Sequence, residues 1–89
     1  MAGYRGAPQA GIIEVDIHGM TKQQAKRHLE TQLMRASKSV YRMKVIHGYN
    51  SGTELRDMVR REMKHHKKVI RVEVGLNPGE TVLVLRELY

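Results

Sequence analysis

The 89-residue chain predicts an α/β (α+β) two-layer sandwich, and three observations carry that prediction. Stretches with the period of a half-buried strand or of a continuous apolar strand occur four times, and two helically spaced stretches separate the first three. The element order is therefore β-α-β-α-β-β. Polar side chains fill one side of the first three strands (Glu14, Asp16, Arg42, Lys44, Arg71 and Glu73), which leaves one sheet face to solvent and puts both helices on the other. The last strand is apolar on both sides, the mark of an interior position. A four-stranded mixed sheet of order 1-2-4-3, with the last strand inserted antiparallel, satisfies all three.

Residues 1–11, MAGYRGAPQAG, are broken by Gly3, Gly6, Pro8 and Gly11 and show no apolar period, so they read as a flexible tail ahead of a domain at residues 12–89. The first strand, Ile12 to Ile17, sets Ile13, Val15 and Ile17 on one face and Glu14, Asp16 and His18 on the other. Gly19 ends it, and Thr21-x-x-Gln24 forms the capping box of a helix. That helix should run over residues 22–37 on an Ala25, Leu29, Leu33 and Ala36 stripe, with His28 at its edge. The second strand, Tyr41 to Ile46, turns Tyr41, Met43 and Val45 one way and Arg42 and Lys44 the other.

His47-Gly48 and a polar loop then lead to a second capping box, Ser51-x-x-Glu54, with Thr53 as a competing cap. Leu55, Met58, Val59 and Met63 give this helix its apolar stripe over about 11 residues, and Arg56, Arg60, Arg61 and Lys64 its exposed side. Lys64-His65-His66-Lys67-Lys68 reads as a solvated basic turn, because adjacent histidines rarely converge on one ion. The third strand, Val69 to Val74, alternates with Ile70, Val72 and Val74 on its apolar face and looks like an edge. Asn77-Pro78-Gly79 turns the chain into the last strand, Thr81 to Leu85.

Sixteen Lys and Arg against nine Asp and Glu give a net charge of +7 and a pI of about 10.1. That excess on so short a chain points to an anionic partner, most simply nucleic acid, although a merely soluble basic protein carries the same charge. No apolar run approaches the roughly 18 residues of a membrane span, and no signal-peptide pattern is visible. With no cysteine there is no disulfide framework and no thiolate metal site, which fits the cytoplasm, and a monomer is expected.

Chemistry concentrates where strands hand over to helices. Two helix N-termini should lie side by side at the carboxyl ends of adjacent strands, each offering backbone N–H groups and partial positive charge to an anion. Gly19, Gly48 and Gly52 sit in those turns, where the absence of a side chain lets a phosphate approach the backbone, and Arg56 adds a cation. His18 and His47 would flank the phosphate, one accepting a proton and the other donating it. Asp16 could orient a histidine, hold a metal or activate water. The plainer reading is that Asp16 and His18 only hydrogen-bond the loop that follows them.

VDIHGM and IHGYNSGTELR together resemble the small MutS-related (Smr) domain family, which carries an L-D-x-H-G motif at its first strand and H-G-x-G-x-G after its second. Here the motifs stand as Val15-Asp16-Ile17-His18-Gly19, with Val15 for Leu, and His47-Gly48-Tyr49-Asn50-Ser51-Gly52. The resemblance covers residue 12 to the C-terminus and implies a fold similar to the C-terminal domain of translation initiation factor three. It also implies nucleic-acid binding and, in several branches, endonuclease activity that nicks DNA or cleaves RNA. Asp16, His18, His47, Gly48 and Gly52 are the implied site. Asn50 replaces the middle glycine but tolerates a left-handed backbone. Tyr49 stands where a basic residue is common, which weakens phosphate grip unless the ring stacks on a base.

Two function classes follow. One is a nuclease acting through Asp16, His18 and His47. The other is a basic DNA-, RNA- or ribosome-binding module without turnover. Both use Arg42, Lys44, Arg56, Arg60 and the Lys67-Lys68 turn as phosphate contacts. A divalent metal such as Mg is compatible with Asp16 but not required by it. A protein-interaction module, the third class, would bind without the steep salt dependence of phosphate contacts.

Overall fold

The computed structural model describes residues 11–48 and 53–87. Its elements are β1 (Ile12–Asp16), α1 (Lys22–Arg35), β2 (Arg42–Ile46), α2 (Glu54–Arg61), a short 3₁₀ turn (Met63–His65), β3 (Arg71–Val74) and β4 (Glu80–Val84). The sheet order is β1-β2-β4-β3, with β1 and β2 parallel and β4 antiparallel to both its neighbours. The expected order and the interior place of the last strand are thus present. No helix among the described residues is long and apolar enough to cross a membrane.

Register explains which side chains meet. Val15 pairs with Val45 and Val45 with Thr81, while Met43 pairs with Leu83 and Leu83 with Val72, so these residues share the helix-facing side. Ala25, Leu29 and Leu33 of α1, with Met58 and Val59 of α2 and Met63 just beyond it, close over that side to form the core. Burying each leucine, valine or methionine side chain stabilises by roughly 1.5–3 kcal/mol relative to leaving it in water. The α1 capping box forms as expected, Gln24 N–H bonding Thr21 Oγ1 and Thr21 N–H bonding Gln24 Oε1 at 3.1 Å each. Gly11, at φ +81°, lies against the Tyr41 ring so closely that an added Cβ would sit 2.5 Å from it. Its carbonyl accepts from the N–H groups of Tyr41 and Arg42, which fixes where β1 starts beside β2.

The opposite face is polar. Arg42, Val84 and Arg71 form one row across three strands, and Glu14, Lys44, Val82 and Glu73 the next. Glu73 bridges the rows, accepting from Arg42 and from Arg71, and Arg71 also reaches Glu87. This network lies around Val84, which is only 1% exposed although no helix covers it. The arginines hold the Glu73 carboxyl below its usual range, chiefly by their hydrogen bonds.

Three expectations shift. The first helix ends at Arg35 rather than residue 37, with Ala36 extended as its C-cap. The second has eight α-helical residues, not about 11, and passes into the 3₁₀ turn that buries Met63. Its N-cap is Thr53, whose side chain makes no cap bond to the backbone and instead donates to Asp57 Oδ2. Ser51, the other expected cap, lies outside the described residues. On β3 only Val72 faces the core. Ile70 is 52% and Val74 73% exposed, because α2 packs over β4 and the helix layer does not extend across the edge strand.

Candidate active site

The two strand-to-helix turns do come together. Gly19 and Gly48 both have positive φ, +81° and +78°, and a Cβ added to Gly48 would lie 3.6 Å from the His18 Cβ. The positive φ lets each chain reverse sharply after its strand, so the two turns meet at one rim of the sheet. At that rim His18 Nδ1 lies 2.6 Å from Asp16 Oδ1, and the same oxygen accepts the His18 backbone N–H at 3.0 Å. A carboxylate only accepts, so Nδ1 carries a proton, and in the neutral ring the lone pair lies on Nε2. The His18 side chain is 70% exposed, which opens that lone pair to solvent. An imidazole oriented by a carboxylate and open to a substrate is equipped for proton transfer.

His47 is placed differently. It is 2% exposed and points into the helix-facing layer. Its Nδ1 lies 2.8 Å from the Gly48 carbonyl oxygen and its Nε2 2.9 Å from Thr81 Oγ1, which in turn accepts from Arg60 Nε at 2.9 Å. The donors run one way. Arg60 N–H donates to Thr81, the Thr81 hydroxyl donates to His47 Nε2, and His47 Nδ1–H donates to Gly48. Burial lowers the His47 pKa, and the charges of Arg60 and Arg56 lower it further against the opposing bond to Gly48. This imidazole is therefore a neutral bracket that holds the His47–Gly48 turn to β4. Thr81, its buried partner, was not singled out in the sequence.

The backbone around the second turn is also occupied. The N–H groups of His47 and Gly48 both bond the Gly79 carbonyl, at 2.9 and 3.1 Å. At the first turn the capping box uses the N–H groups of Thr21 and Gln24. Those of Lys22 and Gln23 have no acceptor within the helix, so the α1 N-terminus keeps its anion-binding character. The α2 N-terminus is partly neutralised by Glu54 and Asp57 in its first turn. Burial alone would raise the Asp57 carboxyl, but the Thr53 hydroxyl and the nearby Arg56 and Arg61 charges hold it below its usual range.

The expected phosphate contacts divide. Arg42 is bound to Glu73 on the open sheet face, Arg56 lies beside Asp57, and Arg60 is bound to Thr81. Lys44 is half-buried on the open face, in register with Glu14 and Val82. Tyr49, Asn50, Ser51 and Gly52 lie outside the described residues. Among the described residues no three His, Asp or Glu side chains gather in a way that could hold a metal ion.

Comparison with known proteins follows the same residues. The family model of the Smr domain matches residues 15–80, from the first strand to the start of the last. The crystal structure of the Smr domain of Thermus thermophilus MutS2 superposes with a TM-score of 0.73 at 25% identity, covering 83% of this chain and 98% of that one. No curated protein matches the chain.

Proposed function

Because this chain belongs to the Smr domain family, we propose that it binds nucleic acid and cleaves a phosphodiester with His18, oriented by Asp16, as general base. One observation carries the reading: the 2.6 Å Asp16–His18 pair stands exposed at the rim, next to the α1 N-terminus and the Gly48 turn. His18 Nε2 takes the proton from the attacking oxygen, a water or a ribose 2′-hydroxyl. That oxygen bonds phosphorus while the bond to the leaving oxygen breaks, and the leaving oxygen takes its proton from solvent. Lys22 and Gln23 N–H groups and the helix dipole stabilise the charge that gathers on the phosphate. Asp16 keeps Nδ1 protonated and stabilises the imidazolium.

A divalent metal fits poorly on the described residues, since Asp16 and His18 supply two ligands at most and already bond each other. The chemistry therefore rests on the pair itself. His47, bonded at both ring nitrogens, serves the site by position.

The second reading is a binding module without turnover. It is favoured by the burial of His47, which leaves one exposed imidazole where acid and base would use two. A nicking and RNA-cleavage assay with purified protein, with and without chelator, tests the two. Cleavage that disappears in His18→Ala while binding persists supports the nuclease. Binding with no cleavage under any divalent ion or none supports the module.

A further inference from the structure

Two sets of cations among the described residues differ electrostatically. Among the described residues, Lys22 and Lys26 are paired with Glu62, Arg56 with Asp57, and Arg42 and Arg71 with Glu73. A second group bonds only neutral acceptors. Arg60 donates to the Thr81 hydroxyl, Lys68 Nζ to the Ala36 carbonyl at 3.1 Å and Arg86 to the Lys38 carbonyl at 2.7 Å. A carbonyl or hydroxyl fixes a cation in place without cancelling its charge, so these three are held and still uncompensated. No described carboxylate pairs with Lys38, Lys64 or Lys67.

Six of the described cations without a carboxylate ion pair gather along one seam, while Arg27, Arg35, Lys44 and Arg61 stand outside it. Arg60 and Lys64 line a groove of about 490 Å³ between the second helix and the edge strand, floored by Ile70, Val72 and Val74. Lys38, Lys67, Lys68 and Arg86 line a second groove, with no acidic side chain in its wall. Ile70 belongs to both, so the two run into one another along the seam. The one acid on the first groove, Glu73, is already occupied by two arginines. At the other end, Val74 pairs across the sheet with Thr81, whose hydroxyl contacts both Arg60 and His47. The seam thus starts beside the candidate active site and leads away from it.

Its chemistry is specific. Uncompensated cations along both grooves call for a polyanion, and the exposed aliphatic side chains of Ile70 and Val74 call for something flat and apolar within that polyanion. A duplex presents phosphates but keeps its bases stacked inside. A single strand presents both. We infer that this seam is a track for single-stranded nucleic acid, its phosphates on Arg60, Lys64, Lys67, Lys68, Lys38 and Arg86 and its unstacked bases on Ile70 and Val74. The inference rests on the proposed nucleic-acid-binding function and adds the form of the ligand and its path.

The test measures affinity of the whole protein for a labelled (dT)12, a 12-base-pair duplex and poly-glutamate across a salt series. Lys64→Ala/Lys67→Ala should flatten the salt slope for (dT)12 by about 1.4, two contacts at roughly 0.7 each. Lys26→Ala, which removes a cation already paired with Glu62, should leave that slope unchanged. Ile70→Ser/Val74→Ser should weaken (dT)12 about tenfold by removing apolar contact, with duplex affinity unchanged. Both side chains are exposed, so thermal melts should match the wild type. Equal loss of (dT)12 and duplex in the serine variant, or no loss of either, overturns the track. Poly-glutamate bound as tightly as (dT)12, with the same response to the variants, reassigns the seam to an acidic protein partner. Wild-type protein that binds none of the nucleic acids defeats the proposed function itself, a result distinct from binding that ignores the seam variants.

Discussion

Thr81 offers the sharpest test of how the site is held. Its hydroxyl is fully buried, accepts from Arg60 Nε and donates to His47 Nε2. Thr81→Val keeps the shape and removes only those bonds. Arg60 is half-buried and can turn to water, so its loss costs little. His47 Nε2 cannot, since the side chain is 2% exposed, and a buried acceptor left without a donor costs about 1–3 kcal/mol. For a chain this size, the middle of that range lowers Tm by about 8–16 °C. Thermal melts followed by circular dichroism at neutral pH read it directly. Thr81→Ser, which keeps the hydroxyl and loses one methyl, should cost about 0.8 kcal/mol. In a His47→Leu background, Thr81→Val should be close to neutral, because neither partner is then polar. A Thr81→Val protein melting within about 2 °C of wild type would refute the bracket.

Asp16→Ala and His18→Ala should each lower the single-turnover cleavage rate by about 10²–10⁴ while leaving most affinity intact, since proton transfer depends on one pair and binding on many contacts. Stability should fall with acid through His47. The unfolded chain takes up a proton near the ordinary value of 6.5, while the buried imidazole resists until lower pH, so stability is full above 6.5 and declines below it. The slope should approach at most about 1.4 kcal/mol per pH unit, and pH-dependent melts of His47→Gln should lack that part. Glu73→Gln should free Arg42, while Arg71 stays on Glu87, and the freed cation tightens nucleic-acid binding and steepens its salt dependence. Its stability cost should stay within about 1 kcal/mol, because these side chains are about a third or more exposed. Unchanged binding in that variant would place the open sheet face outside the footprint.

Much of the fold was legible because strand period and capping chemistry are local signals. Ile13, Val15 and Ile17 faced the helices as their alternation required, and Thr21 and Gln24 closed their box. What was not legible depended on how far one layer reaches over another. Ile70 and Val74 alternate with Val72 like core residues, yet they flank an edge strand that the helices do not cover. The pairing of cations was hidden for the same reason. Arg42 and Glu73 stand 31 residues apart and meet only because β4 inserts between their strands.

The two histidines show the same limit from the opposite side, since their different fates were written in parity. Both follow a strand and precede a glycine, and that likeness invites matching roles around one phosphate. But the core positions of the first strand are 13, 15 and 17, which puts His18 on the opposite face beside Asp16. Those of the second are 43 and 45, and the next step of two is His47, which the alternation carries inward to Thr81. One residue of offset between strand and motif thus separates an exposed imidazole held by a carboxylate from a buried one held by a hydroxyl and a carbonyl. The exposed ring can exchange protons with a substrate. The buried ring, kept neutral, braces the turn packed beside it, and the difference in setting follows from where each histidine falls in the pleat.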